Sequence, residues 1–236
     1  YNMLQGGRIC MNGFTAWLSQ LRLDTLWQTA LIIAASLLCI TFHEVSHGYV
    51  AWRLGDPTAK RAGRLSLNPL RHIDLTGLLM MAIFRFGWAK PVPIDPRYFK
   101  NRKAGMALTA LAGPLSNVLL SLLALIVMEI LGVLYAKHPG SVLYILWLFF
   151  LYLSSMSAGL AVFNIFPIPP LDGSKVLFSF LPDRLYWKLM RYERYGMLLL
   201  AALLFFGVID TPLGVLRDGL WNGLDAAACA LVGLFT

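Results

Sequence analysis

The stretch that decides the fold covers residues 25–52 and reads TLWQTALIIAASLLCITFHEVSHGYVAW. In its second half, a group of polar residues interrupts the apolar pattern: His43, Glu44, Ser46 and His47. About 20 mainly apolar residues suffice for a helix to cross the hydrocarbon core of a bilayer. The stretch therefore predicts a membrane-spanning helix that carries a cluster of ionisable side chains and ends at Arg53.

The composition of the whole chain also indicates a membrane protein. Of the 236 residues, 58% are hydrophobic and 14% are charged, whereas soluble domains carry about 25% charged residues. Four further apolar runs cover residues 104–136, 141–166, 195–209 and 213–235. We therefore predict an all-α integral membrane protein with about four to six transmembrane helices, and a soluble domain with a very large core is a poor alternative.

Residues 75–94, LTGLLMMAIFRFGWAKPVPI, are apolar but are broken by glycine, prolines and two basic residues. Irregular backbone at membrane depth is tolerated where protein or a wet cavity covers it. We expect a re-entrant segment with a β-hairpin after the first helix, where it could add a strand to an extended substrate. An ordinary loop at the membrane interface is the other interpretation.

The net charge of +8 has to be considered relative to the membrane spans before nucleic-acid binding is inferred from it. Arg8, Arg22, Lys137 and Arg217 fall on one side of the predicted membrane, and the other sixteen basic residues fall opposite or in the hairpin. By the positive-inside rule, residues 53–103 and 175–194 are cytoplasmic. We expect a bacterial inner membrane or another cell membrane, no nucleic-acid partner, and a polar site that opens towards the cytoplasm.

The apolar runs divide the chain into three parts. Residues 1–24 form an interfacial or external segment, residues 25–209 form a membrane-embedded core, and residues 210–236 form a C-terminal membrane helix. The cysteines at positions 10, 39 and 229 form no CxxC pair, so neither a disulfide framework nor a thiolate metal site is expected. Cys39, one helical turn before His43, is interpreted as a packed core residue.

His43-Glu44-Val45-Ser46-His47 is an HExxH motif within the first helix. Residues four apart share a helix face, so both imidazoles can reach one zinc ion while Glu44 lies beside the open position of the metal. Ionisable residues are expensive inside a membrane and usually serve a function there. The motif therefore predicts a metal centre in which Glu44 activates water.

A catalytic zinc site needs a third protein ligand. The soluble metzincin continuation is excluded because positions 50 and 53 are valine and arginine. Asp56 and Asp74 lie in the basic stretch and are interpreted as cap or turn residues. Asp172 is the preferred third ligand because it follows three prolines that must break the third helix and could present a carboxylate at membrane depth.

Three motifs together resemble the site-2 protease family of intramembrane zinc metalloproteases: HEVSH at 43–47, GPLSN at 113–117 and NIFPIPPLDG at 164–173. The resemblance implies one Zn²⁺ per chain, held by His43, His47 and Asp172, with Glu44 as general base. It also implies that Asn117 and Asn164 contact the substrate. The short loops leave no room for the PDZ or CBS modules that some members of the family carry.

The resemblance implies hydrolysis of peptide bonds in or near transmembrane segments, with the lipid bilayer and a transmembrane protein or peptide as partners. An alternative is a zinc transporter or metal sensor that binds the ion without proteolysis, although no inverted repeat supports transport. A catalytically inactive scaffold is a third interpretation. For Asn117 and Asn164, hydrogen bonding between helices is the alternative to a role at the site.

Overall fold

The computed structural model describes residues 26–74 and 90–234. In these two ranges the chain is helical, with short 3₁₀ turns at Pro69–Arg71 and Pro96–Tyr98 and no strand. The α-helices are α1 (Leu26–Arg53), α2 (Thr58–Arg61), α3 (Arg102–Lys137), α4 (Ser141–Ile165), α5 (Asp172–Ser179), α6 (Asp183–Phe205) and α7 (Asp210–Val232). The expected hairpin at 75–94 lies largely outside the described residues, and residues 90–94 have irregular backbone.

Three of the described helices are long and apolar enough to cross a membrane, namely α1, α3 and α4. The second half of α6 and the whole of α7 meet the same test as a pair, and they are bent by 88° at the break between them. The pair is therefore one broken span or a re-entrant unit, and the described chain has three or four spans. The prediction of an all-helical membrane protein is confirmed.

The ends of the central helices follow from local sequence. The side chain of Asn101 accepts a hydrogen bond from the backbone N–H of Ala104 at 3.1 Å and so caps the start of α3. Helix α4, which follows α3, ends at Ile165. The reason is that residues 167–170 include three prolines, which lack backbone N–H groups. The chain leaves α4 in extended backbone and begins a new helix, α5, at Asp172.

Helix α3 lies at the centre of the bundle and packs against α1, α4, α5 and α7. The buried core is built mainly from small and aliphatic side chains, which let the helices approach closely. It contains Ala35, Cys39, Ala124, Leu125, Met128, Leu148, Leu151, Tyr152, Leu153 and Ala228. Cys39 is only 1% exposed, so its predicted role as a packed core residue is confirmed.

Large apolar side chains also cover the outside of the long helices. Leu119 and Leu123 on α3, Val142 on α4 and Leu198 on α6 are each more than half exposed. Soluble monomers rarely expose extended apolar patches of this kind, whereas a bilayer solvates them. The exposed apolar side chains therefore support a membrane location for these helices, as their apolar length does.

Candidate metal centre

The two histidines of the HExxH motif lie one turn apart on the same face of α1. His43 is 5% exposed and His47 is 7% exposed. Their rings meet edge to face, with centroids 4.5 Å apart. The helical spacing thus brings both imidazoles to one buried point, as the motif predicts.

Asp172 joins the two histidines from the start of α5. One of its carboxylate oxygens, Oδ2, lies 3.1 Å from His43 Nε2 and 3.0 Å from His47 Nε2. Gly173 allows this position, because a Cβ there would overlap the backbone carbonyl of Ile165 at the end of α4. The proline break therefore delivers the carboxylate to the imidazoles, and the three candidate ligand atoms lie within 4.8 Å of one another.

The proton arrangement at His47 shows that the three residues fit a cation. His47 Nδ1 lies 2.7 Å from the backbone carbonyl oxygen of Thr109, which can only accept, so Nδ1 carries the proton in the neutral ring. The lone pair of Nε2 then faces the carboxylate oxygen of Asp172. Two acceptors at this distance favour a cation between them, and the separations are close to the edge of about 3.3 Å expected for a tetrahedron of zinc ligands.

Asp172 is anchored on its second oxygen as well. Lys175 Nζ lies 3.6 Å from Asp172 Oδ1 and 3.8 Å from Glu193 Oε1 on α6. The positive charge of Lys175 lies beside the buried Asp172 carboxylate and favours loss of the carboxyl proton. The carboxylate is therefore held in its ionised form, which is the form that binds metal.

Glu44 is half-buried beside the group and is not one of the three converging residues. Its Oε2 atom accepts a hydrogen bond of 2.8 Å from the backbone N–H of Val92. Because Val92 stands between Pro91 and Pro93, its N–H is the single backbone donor of that triplet. We did not predict this contact, although the isolated donor between two prolines is a signal in the sequence.

Asp56 fixes the segment that carries Val92. Its Oδ1 atom accepts from the backbone N–H of Thr58 at 2.9 Å, and its Oδ2 atom accepts from the backbone N–H of Asp95 at 2.7 Å. Its predicted role as a turn residue is confirmed, and the second contact also ties the segment after residue 90 to the end of α1.

Helix α3 forms the back wall of the site with three residues spaced four apart: Thr109, Gly113 and Asn117. A Cβ at Gly113 would lie 2.5 Å from His47 Nε2 and 2.6 Å from His43 Cε1, so only glycine lets the two rings rest against the helix. The amide Nδ2 of Asn117 lies 3.1 Å from His43 Nδ1. The structure thus places Asn117 directly behind a histidine of the group.

Asn164 lies near the end of α4 and is half-buried. Its amide nitrogen donates to the backbone carbonyl of Leu160, one turn earlier, at 3.0 Å. Contact of Asn164 and Asn117 with a substrate stays a prediction.

A second group of potential ligands in the described chain consists of Glu129, Asp225 and Cys229. These residues lie on α3 and α7, contain no imidazole and are half-buried or exposed. Carboxylates grouped at a partly exposed surface are common without a metal. The buried His43–His47–Asp172 group is therefore the candidate centre.

Apolar spanning helices around an HExxH helix, with a carboxylate as third ligand, define the class: a membrane protein with a site of the zinc metallopeptidase type. The chain belongs to Peptidase family M50, whose model matches residues 30–207. The family predicted from three sequence motifs is confirmed.

Named relatives agree with this membership. The chain is 32% identical over 205 residues to "Putative zinc metalloprotease YwhC" of Bacillus subtilis, which covers 87% of this chain and 90% of the relative. It is 33% identical over 153 residues to "Putative zinc metalloprotease MJ0611" of Methanocaldococcus jannaschii, covering 62% and 71%. It is 29% identical over 181 residues to "Putative zinc metalloprotease Rip2" of Mycolicibacterium smegmatis, covering 74% and 66%. No solved structure matches the chain.

Proposed function

We propose that the chain is an intramembrane zinc metalloendopeptidase that hydrolyses peptide bonds in or near the transmembrane segments of membrane-anchored proteins. His43, His47 and Asp172 hold one Zn²⁺, and Glu44 is the general base. The observation that carries the proposal is the convergence of two Nε2 atoms and one carboxylate oxygen on a buried point beside Glu44.

Zinc, when bound, makes water more acidic and polarises the scissile carbonyl. Glu44 takes the proton of the attacking water and passes it to the leaving amine. The hydrogen bond from Val92 N–H occupies Oε2 of Glu44 and orients the carboxylate, which leaves Oε1 to move the proton. His43, His47 and Asp172 are buried, so their contacts act in a medium of lower dielectric constant than bulk water.

The substrate class follows from the location of the site. His43 precedes Arg53 by ten residues, a rise of about 15 Å along α1, so the reacting bond lies below the membrane surface. A transmembrane helix has its backbone groups hydrogen-bonded internally, so the cleaved segment must unwind locally before attack. The basic residues that follow α1 favour an orientation with the site towards the cytoplasmic side of a bacterial or other cell membrane.

We propose the same three-part organisation that the apolar runs indicate. Residues 25–209 form the protease core and 210–236 form a C-terminal membrane helix, while the expected interfacial or external segment 1–24 lies outside the described residues. Helix α7 packs against α3 and α4, so the C-terminal helix supports the wall that carries Asn117.

The test of the proposed function is Glu44→Gln. This variant keeps the size and the hydrogen-bonding oxygen of the side chain but removes the base. Purified full-length protein in liposomes should retain about one zinc per chain and lose cleavage of a model single-span substrate, with product measured by mass spectrometry.

The matched control is Glu129→Gln, which neutralises a carboxylate on α3 whose neighbours are Asp225 and Cys229. It should keep both zinc and cleavage. Unchanged cleavage in Glu44→Gln would refute Glu44 as the base, and loss of zinc there would show that Glu44 is a ligand. Zinc flux into the liposomes that depends on His43 but not on Glu44 would favour transport instead.

A further inference from the structure

We propose that Asn117 is a positioning residue that selects the proton arrangement of the His43 ring and thereby makes Nε2 available to zinc. The inference rests on the proposed zinc site and adds to the proposed function the group that controls one of its ligands. It gives Asn117 a role behind the histidine, and the expected contact of Asn117 with substrate stays a separate prediction.

The two histidines of the motif meet different partners on α3. The ring of His47 faces a backbone carbonyl, that of Thr109, and a carbonyl oxygen only accepts. The proton of neutral His47 is therefore fixed on Nδ1, and its Nε2 atom always offers a lone pair towards Asp172. The tautomer of His47 is therefore set by the Thr109 carbonyl alone.

His43 instead faces a carboxamide, which can donate or accept. With Nδ2 of Asn117 towards the ring, His43 Nδ1 accepts, the ring proton lies on Nε2, and Nε2 donates to Asp172 Oδ2 at 3.1 Å. With Oδ1 towards the ring, Nδ1 carries the proton and donates to Asn117. Only the second arrangement leaves the Nε2 lone pair for a metal ion.

The burial of Asn117 supports this role. The residue is 0% exposed, and its Oδ1 atom is buried without a hydrogen-bond partner in the part of the chain that the structure describes. A half-turn of the amide exchanges Oδ1 and Nδ2 at nearly constant shape and brings the oxygen to His43 Nδ1. The oxygen thereby gains a hydrogen-bond partner, and Nδ2 takes the buried position that Oδ1 holds in the structure.

The backbone at Asn117 is fixed independently of its side chain. Ser157 Oγ on α4 donates to the backbone carbonyl of Asn117 at 2.9 Å. One turn before it, Gly113 lets both imidazoles lie against α3. The Asn117 amide is thus held at hydrogen-bonding distance from the His43 ring. Rotation about the Cβ–Cγ bond of Asn117 is then enough to exchange Oδ1 and Nδ2.

The experiment compares full-length wild type with Asn117→Leu, Asn117→Asp and the matched control Ser121→Ala. Zinc affinity is measured by competition with a chromophoric chelator. The ring tautomers are read by ¹⁵N NMR of ¹⁵N-histidine protein in micelles, where the chain has four histidines that can be assigned by replacing each in turn.

Asn117→Leu removes the acceptor and should weaken zinc binding by about 10- to 100-fold, with less Nδ1–H form at His43. Asn117→Asp keeps an acceptor and should hold His43 in the Nδ1–H form with at least wild-type zinc affinity. Ser121→Ala removes the hydrogen bond from Ser121 Oγ to the backbone carbonyl of Ser154, one turn beyond Asn117 on α3, and leaves the amide untouched, so it should change neither measurement.

Wild-type zinc affinity and an unchanged His43 tautomer in Asn117→Leu would overturn the proposal. If Asn117→Leu does not fold, Asn117→Asp decides: a folded variant that has lost zinc binding or the Nδ1–H form overturns it equally. Neither measurement uses proteolysis, so a chain that behaves as described but cleaves nothing would refute the proposed function and leave this role of Asn117 intact.

Discussion

At Asp172, both carboxylate oxygens have partners. Oδ2 faces the two imidazoles, and Oδ1 lies 3.6 Å from the ammonium group of Lys175, which in turn lies 3.8 Å from Glu193. Partners of this kind orient a metal ligand and fix its direction. Lys175 therefore links the carboxylate of α5 to helix α6.

Replacing Lys175 with methionine keeps the length of the side chain and removes its charge. We expect zinc affinity to fall by about tenfold, because Asp172 loses the contact that orients Oδ1. Chelator competition measures the change. Lys188→Met, at an exposed position of α6, is the matched control and should bind zinc as wild type does; equal affinities in both variants would exclude an anchoring role for Lys175.

Side-chain chemistry was more accessible from the sequence than backbone contacts were. The spacing of His43 and His47 and the prolines before Asp172 predicted which side chains meet, because helix periodicity and proline geometry are local properties. The carbonyl of Thr109 and the N–H of Val92 contact the site through the backbone. Such contacts depend on how α1 packs against α3 and against the segment after residue 90. The prolines on either side of Val92 mark one of the two donors and acceptors in the sequence, whereas no residue type marks the carbonyl of Thr109.

At the scale of elements, helix α3 determines the position of the site. It contacts α1, α4, α5 and α7, and its residues 109, 113 and 117 form the surface on which both histidine rings rest. The glycine at 113 is required by the close approach of the helices, since any Cβ would overlap both rings. The GPLSN motif is therefore a platform for the ligands of α1.

Gly113→Ala should displace both imidazoles. We expect a loss of zinc affinity and a destabilisation of about 1–3 kcal/mol, which is typical of overpacking a tight contact. Thermal unfolding in micelles and zinc content measure the two effects. On the same helix, a Cβ at Gly132 would lie 3.6 Å from the nearest atom, so Gly132→Ala should bind zinc normally; a Gly113→Ala protein that does the same would refute the platform.

The apolar runs predicted α1, α3 and α4 to within two residues at each end. The run at 195–209 indicated only the second half of α6, which begins at Asp183. Residues 183–194 contain charged side chains at many positions, so hydropathy detects no span there although the backbone stays helical. Gly207, with φ of 67°, then lies between α6 and α7, a conformation that glycine adopts without strain.

At the scale of the whole molecule, the distribution of charge relates the site to the two sides of the membrane. Sixteen of the twenty basic residues lie on the side where α1 ends and α3 begins, or in the segment between them. Basic loops stay on the cytoplasmic side during insertion. We therefore propose that the metal centre, about 15 Å from the end of α1, faces the cytoplasmic side.

Single-cysteine labelling tests this orientation. In a chain with Cys10, Cys39 and Cys229 replaced, Pro139→Cys places a thiol in the exposed turn between α3 and α4, and Lys100→Cys places one before α3. A membrane-impermeant maleimide applied to intact cells should label position 139 and not position 100, while solubilised protein should label at both. Labelling of position 100 and not of position 139 in intact cells would contradict the proposed orientation.

The central claim is that a carboxylate from α5 shares one zinc ion with two imidazoles from α1, and X-ray absorption of zinc-loaded Asp172→Cys tests it most directly. Zinc–sulfur bonds are about 2.3 Å long, against about 2.0–2.2 Å for nitrogen and oxygen ligands. We predict one sulfur ligand in Asp172→Cys and none in wild type or in Asp183→Cys, which places a thiol at the exposed start of α6. Zinc bound with wild-type affinity by Asp172→Cys through nitrogen and oxygen alone would contradict the account.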